Sequence, residues 1–234
     1  MLKKIGDRLI LVGVAHVLPE SLKKVKETME EESPRVVGLE LCQSRYLQLT
    51  AGSKRMENTE FQFSRRAILA YLLRYFQEKI GQQTGVMPGE EMLTAARKAQ
   101  ESDAEVVLLD RDINLTLQRL IDQMSFWEKL KILAQMLLFF LPGKEEIELE
   151  RMTEEEVVKE LLSYFRDSSK SAYKVLIEER DEYMAKRILE LIKSREGKIL
   201  CVVGAGHIPG LTSRLKSRLE SDGLEPWGSF QLKW

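Results

Sequence analysis

The chain is 234 residues long, 44% hydrophobic and 31% charged, with two cysteines. That much apolar material builds a sizeable core and excludes both a disordered chain and a disulfide scaffold. Thirty-six Lys and Arg offset thirty-seven Asp and Glu for a net charge of -1, which leaves no basic footprint for nucleic acid.

The N-terminal MLKKIGDRLILVGVAHV has the lysines and apolar run of a signal peptide. Gly6, Asp7 and Arg8 interrupt it, however, and no small-residue cleavage site closes it. Arg8 to Val14 reads instead as a strand covered on both faces. A helix opens at Pro19 and runs to about Glu32, with Leu22, Val25 and Met29 at spacings of three and four; Ser33-Pro34 ends it. Arg35-Val-Val-Gly-Leu-Glu40 is the second strand, so residues 9–40 read as a βαβ unit with parallel strands. Helices follow from Phe61 to Ile80, and from Val86-Met-Pro88 to about Ser102 with Pro88 near the first turn. Glu105 to Asp110 is the third strand and Lys198 to Val203 the fourth. Between them the periodicity is helical, over 113–124, 126–141, 153–166 and 170–195, and Trp227 to Trp234 is expected to add an edge strand.

The fold class is therefore α/β: a mainly parallel sheet with flanking helices in a single domain of residues 1–234. A long helical insertion, residues 112–196, separates the third and fourth recognisable strands. The longest apolar stretch, Ile132 to Leu141, is well short of the roughly 20 residues of a membrane-spanning helix. Within Met124 to Leu141 the apolar residues recur at helical spacing and close round the helix towards Phe140. That pattern calls for burial under neighbouring helices or in a homodimer interface, with Lys129 and Lys131 leaving membrane-surface contact as the alternative. Cys42 and Cys201 read as small buried hydrophobes, and a cytoplasmic location is the default.

The informative residues follow the strands. The first strand runs into Gly13-Val14-Ala15-His16 and the second ends at Glu40. The third ends at Asp110, before Arg111 and Asp112, and the fourth runs into Gly204-Ala205-Gly206-His207. In a parallel α/β sheet, ligands bind outside the carboxyl ends of the strands, which is where all of these fall. His16 and His207 are the only histidines, each three residues after a glycine. Glycine makes up about 7% of ordinary chains, so chance gives that match roughly once in 200. A glutamate closing a buried strand needs a partner, and a structural ion pair from Glu40 to Arg45 or Arg111 is the bland alternative. Asp110-Arg111-Asp112 reads equally as the cap of a helix from Ile113, and Glu178-Glu179-Arg180-Asp181 as a solvated face of the last helix.

Taken together the chain resembles the TraB/PrgY/GumN family, which includes the pheromone-shutdown proteins. The resemblance rests on Leu11-Val-Gly-Val-Ala-His-Val17, Ser33 to Leu41 with Arg45-Tyr46-Leu47, and Pro88-Gly-Glu-Glu-Met92. It continues through Leu109-Asp-Arg-Asp-Ile113 with Thr116-Leu117, Glu179-Arg-Asp181 with Met184, and Val202 to Gly210. It implies distant kinship with the Tiki proteases, regarded as metal-dependent, and with erythromycin esterases, thought to work without metal. Carried onto this chain, it places His16, Glu40 and His207 in an active site, with Glu179 and Arg180 facing the same cleft. Many archaeal-type relatives continue into C-terminal membrane helices; none is expected here.

The chemistry implied is hydrolysis of a peptide, ester or amide bond. In one version His16, His207, Glu40 and Asp110 hold a divalent ion, Mn, Co, Fe or Zn, that activates water. In the other no metal is used: Glu40 orients a histidine base and Arg180, with Glu179 beside it, stabilises the oxyanion. Arg111, Gly13 and Gly204 are the expected substrate-binding positions. A non-catalytic protein of the same fold that sequesters a peptide, haem or metal stays open as the alternative.

Overall fold

The computed structural model describes residues 1–14, 19–51, 89–131 and 154–222. Among the described residues five strands form one sheet: β1 (Leu2–Ile5), β2 (Leu9–Val14), β3 (Val36–Leu39), β4 (Glu105–Leu108) and β5 (Ile199–Gly204), in the order β1-β2-β5-β3-β4. Every residue of β2, β3 and β5 is buried, as uninterrupted Val/Ile/Leu runs require. Edge strand β4 is only partly covered. The β2–β5, β5–β3 and β3–β4 pairs are all parallel, so the α/β, mainly parallel reading holds.

Two features differ from expectation. The strands of the 9–40 unit are parallel but not neighbours, because β5 lies between them. It pairs Leu9 with Ile199 and Val14 with Gly204 on one side, and Val36 with Ile199 and Leu39 with Val202 on the other. A wholly apolar strand gains most from the sheet centre, where both faces and both edges are covered. In addition, Leu2–Ile5 forms an antiparallel edge, Leu2 opposite Val12 and Ile5 opposite Leu9. Gly6, at φ 59°, starts the turn through Asp7 and Arg8 that joins them. The residues that break the leader-like run are a hairpin turn.

The helices are α1 (Pro19–Glu32), α2 (Gln43–Ala51), α3 (Glu90–Glu101), α4 (Ile113–Gln123), α5 (Glu154–Ser168), α6 (Lys170–Tyr173), α7 (Glu179–Ser194) and α8 (Ile208–Ser221). A π-turn, Lys174–Glu178, joins α6 to α7, and a 3₁₀ turn, Ala205–His207, leads into α8. A short helical stretch also covers 126–131. Between β4 and β5 the described residues contain helices and no strand. The expected helix from Phe61 to Ile80, the 132–141 run and the 227–234 edge strand lie outside the described residues.

Alternate strand residues serve two cores. On one face Ile10, Val12, Val37 and Val202 pack with Val25 and Met29 of α1 and with Met92, Ala95 and Ala99 of α3. On the other, Leu9, Leu11, Ile199, Cys201 and Val203 pack with Met184, Ala185 and Ile188 of α7 and Leu211 and Leu215 of α8. Both cysteines are free and buried, and burial pushes the Cys201 thiol up to about 12. Helix α5 passes over the 3₁₀ turn, with Leu162 Cδ2 3.5 Å from where a Cβ on Gly206 would lie.

Candidate acid–base site

Register delivers the site. Leu39 lies beside Leu108 on one side and Val202 on the other, so the residues that follow each strand emerge together at the carboxyl edge. Glu40, directly after β3, has a side chain only 6% exposed and is met on both oxygens. Its Oε2 takes the Gly204 N–H at 2.5 Å. Its Oε1 takes the Arg180 Nη2–H and lies 3.2 Å from His207 Nε2. The other ring nitrogen, Nδ1, is 2.6 Å from Asp181 Oδ1.

Arg180 bridges two acids. Besides Glu40 it donates to Asp110, from Nη2 to Oδ2 at 2.8 Å and from Nε to both oxygens at 3.2 Å. A continuous chain of contacts thus runs Asp181–His207–Glu40–Arg180–Asp110. Of the bland alternatives for Glu40, an ion pair is present, to Arg180, while Arg111, expected with Arg45 as the partner, pairs with Glu179.

With carboxylates on both nitrogens, the imidazole is held as an imidazolium. Burial opposes that charge, but Glu40 and the bond to Asp181 prevail and raise the His207 pKa to about 9. Burial also raises Asp181, against the pull of His207 and Arg214. For Arg180, desolvation is outweighed by Glu40 and Asp110, and the guanidinium is held firmly charged.

Asp181 was not legible as a site residue, since the 178–181 run reads as a solvated face. It is 1% exposed. The signal lies in its spacing: Asp181, Met184, Ala185 and Ile188 form one stripe at offsets of three, four and seven, all buried. An acid on an apolar stripe needs a buried partner. Gly210, in the first turn of α8, makes the room. A Cβ there would lie 1.8 Å from Asp181 Oδ2, so no other residue fits without moving the acid.

Glu179, Arg111 and Gly13 lie outside this chain of contacts. Glu179 belongs to a separate network: it accepts from Arg119 Nε at 2.6 Å and Nη2 at 2.7 Å, from Arg111 Nη1 at 2.9 Å and from Gln123 Nε2 at 3.2 Å. The Arg119 bonds, then those of Arg111, hold its pKa at about 2 against burial. Arg111 is buried and turned inward, also donating to Thr116 Oγ1 and to the Val175 carbonyl. Asp112 caps α4 through Asn114 N–H at 2.7 Å, as the capping reading expects. The space beside Gly13 is filled by protein, with Ile208 Cγ1 2.8 Å from a Cβ there. Gly204 meets the site through its N–H. His16 lies outside the described residues.

A divalent ion does not fit the described donors as they stand. Among the described residues no three His, Cys, Asp or Glu are grouped to hold a metal. A ligating imidazole must present a bare nitrogen, yet both nitrogens of His207 face carboxylates. The cation between Glu40 and Asp110 is Arg180.

Residues 1–225 match the profile of the TraB/PrgY/gumN family. An uncharacterised protein of Methanocaldococcus jannaschii is 33% identical over 213 residues, covering 88% of this chain and 53% of that protein. A human TraB domain-containing protein is 27% identical over 234 residues, covering 88% and 62%. The chain therefore spans only part of the length of these relatives. Among solved structures, ChaN of Campylobacter jejuni, described for cofacial heme binding, aligns over 90% of this chain and 77% of its own. Identity there is 13% and the TM-score 0.38. No helix of the described residues is long and apolar enough to cross a membrane. The motifs at the strand ends and a profile match over nearly the whole length agree: the chain belongs to the TraB/PrgY/gumN family.

Proposed function

We propose that the chain hydrolyses ester or amide bonds, in a peptide or a small molecule, by proton transfer within the Asp181–His207–Glu40 chain. The observation that carries this reading is the His207 ring, with Nδ1 2.6 Å from Asp181 and Nε2 3.2 Å from Glu40, at the edge where parallel sheets bind ligands. Asp181 orients the ring and fixes the proton on Nδ1. Glu40 is the base that takes a proton from water, and His207, protonated through the neutral range, is the acid that returns one to the leaving group. Arg180 supplies positive charge beside the base, where an oxyanion develops. This shares the absence of a metal with the second version of the chemistry but exchanges its roles, since a ring held protonated between two carboxylates serves as the acid and leaves Glu40 as the base.

The test is a screen of peptide, amide and ester substrates with protein exhaustively treated with chelator. Turnover should survive chelation and fall by about 10²–10⁴ in Glu40→Gln and in His207→Gln. The double variant should be hardly worse than either single one, as for groups that act as a unit. Activity lost on chelation and restored by one of Mn, Co, Fe or Zn would refute the metal-free mechanism. An absence of turnover on every class would refute the hydrolase.

A further inference from the structure

From Lys170 to Ser194 the backbone is one unbroken helix with a fault in it. Residues Lys174–Glu178 form a π-turn, in which the N–H of Glu179 bonds the carbonyl of Lys174, five residues back. The turn holds one residue more than a regular α-helix, and each residue rotates a helix by about 100°. That extra rotation reconciles two surfaces. Ahead of and within the turn, Ala172 and Val175 pack against Leu120 and Met124. Beyond it, Met184, Ala185 and Ile188 pack on the sheet, while Arg180 and Asp181 meet Glu40, Asp110 and His207.

A π-turn spoils the regular pairing of its carbonyls, and an unpaired buried carbonyl is costly. Three arginines donate to carbonyls of the turn. Arg111 Nη2 donates to Val175 O at 2.9 Å, Arg180 Nη1 to Leu176 O at 3.2 Å and Arg214 Nη2 to Glu178 O at 3.4 Å. Arg111 does most. From its place just after β4 its fork also reaches Thr116 Oγ1 of α4 at 3.0 Å and Glu179 Oε2, the first residue of α7, at 2.9 Å. One planar group thus ties the strand end, α4, the turn and the start of α7, which a point charge on a flexible stem could not do.

We propose that Arg111 is a positioning residue: it clamps the π-turn and so sets the rotation at which α7 presents Arg180 and Asp181 to His207. Nothing in this depends on what reaction the site performs.

The test reads the imidazole of His207 directly, in the full chain labelled with ¹⁵N-histidine. Only two histidines are present, and His16→Gln assigns them. Arg111→Lys keeps a charge beside Glu179 but cannot span Thr116 and Val175. It should speed exchange of the His207 Nδ1 proton with water roughly tenfold or more, as expected when one hydrogen bond weakens. Arg119→Met, which removes another partner of Glu179 but touches no carbonyl of the turn, should leave that proton protected. If Arg111→Lys does not fold, Thr116→Val loosens the same clamp at one point and should move the signal in the same direction. An unchanged Nδ1 proton in folded Arg111→Lys or Thr116→Val would overturn the proposal, as would equal loss in Arg119→Met.

Discussion

Replacing Asp181 by Asn removes one of the two carboxylates that clasp the His207 ring while changing almost no volume. The ring moves from 6.5 to about 9 on folding, and one pKa unit is worth about 1.4 kcal/mol, so about 3 kcal/mol of stability is tied to its proton. Because the folded value lies above the unfolded one, that contribution is complete below about pH 6.5 and is lost as pH rises through about 9. The charged groups facing the ring are Glu40 at Nε2, Asp181 at Nδ1 and, opposing them, Arg180. Glu40 remains in the variant, and Asn still offers Nδ1–H a neutral acceptor. A charge-assisted bond replaced by a neutral one costs about 1–2 kcal/mol. Asp181→Asn should therefore compare worse with the parent near pH 6 than near pH 9 by about that amount, while relief of the buried carboxylate, whose pKa burial raises, offsets part of the loss at both ends. Urea denaturation across that range measures both the loss and its slope. If the variant shows the parent's slope between about pH 6 and 9, or loses more at the alkaline end, the imidazolium account is wrong.

Gly210→Ala places a methyl group against the Asp181 carboxylate and should cost about 1–3 kcal/mol by overpacking. In an Asp181→Ala background the same change should be nearly neutral, a coupling that a double-mutant cycle of melting curves reads directly. Arg180→Met leaves Glu40 and Asp110 without the cation that bridges them and should cost about 3–5 kcal/mol by urea denaturation. Arg180→Lys should recover only part of that, since an ammonium lacks the planar fork.

What could be read in advance follows what each signal encodes. Unbroken apolar runs announce buried strands, and β2, β3 and β5 were visible as such. They do not say which strands are neighbours, because every such run looks alike from its own residues, and so β5 between β2 and β3 was invisible. Strand β1 carries Lys3 and Lys4 and only one fully buried residue, Ile5. An edge strand needs no more than that, and it leaves a weak pattern. At the site, Glu40, Asp110 and His207 were legible because a polar residue closing an apolar strand is conspicuous. Asp181 was hidden by the charges on either side of it, although its helical stripe betrayed it. The inward turn of Arg111 was beyond reach, since the carbonyl it meets, that of Val175, lies 64 residues further along the chain.

The place of β5 has a consequence for how the chain comes together. As the polypeptide leaves the ribosome, β1 can pair with β2 and β3 with β4, but these make two separate half-sheets, each with a bare apolar edge. Among the described strands no backbone pairing joins them until residues 199–204 arrive and zip to both sides. Pairings such as Leu9 with Ile199 close very long loops, the kind of contact that slows folding. Until then both edges invite pairing with other chains, a hazard that waits on β5. The same event brings the Gly204 N–H to Glu40 and His207 into place. A half-synthesised molecule therefore has two half-sheets and an incomplete site, and β5 completes both together.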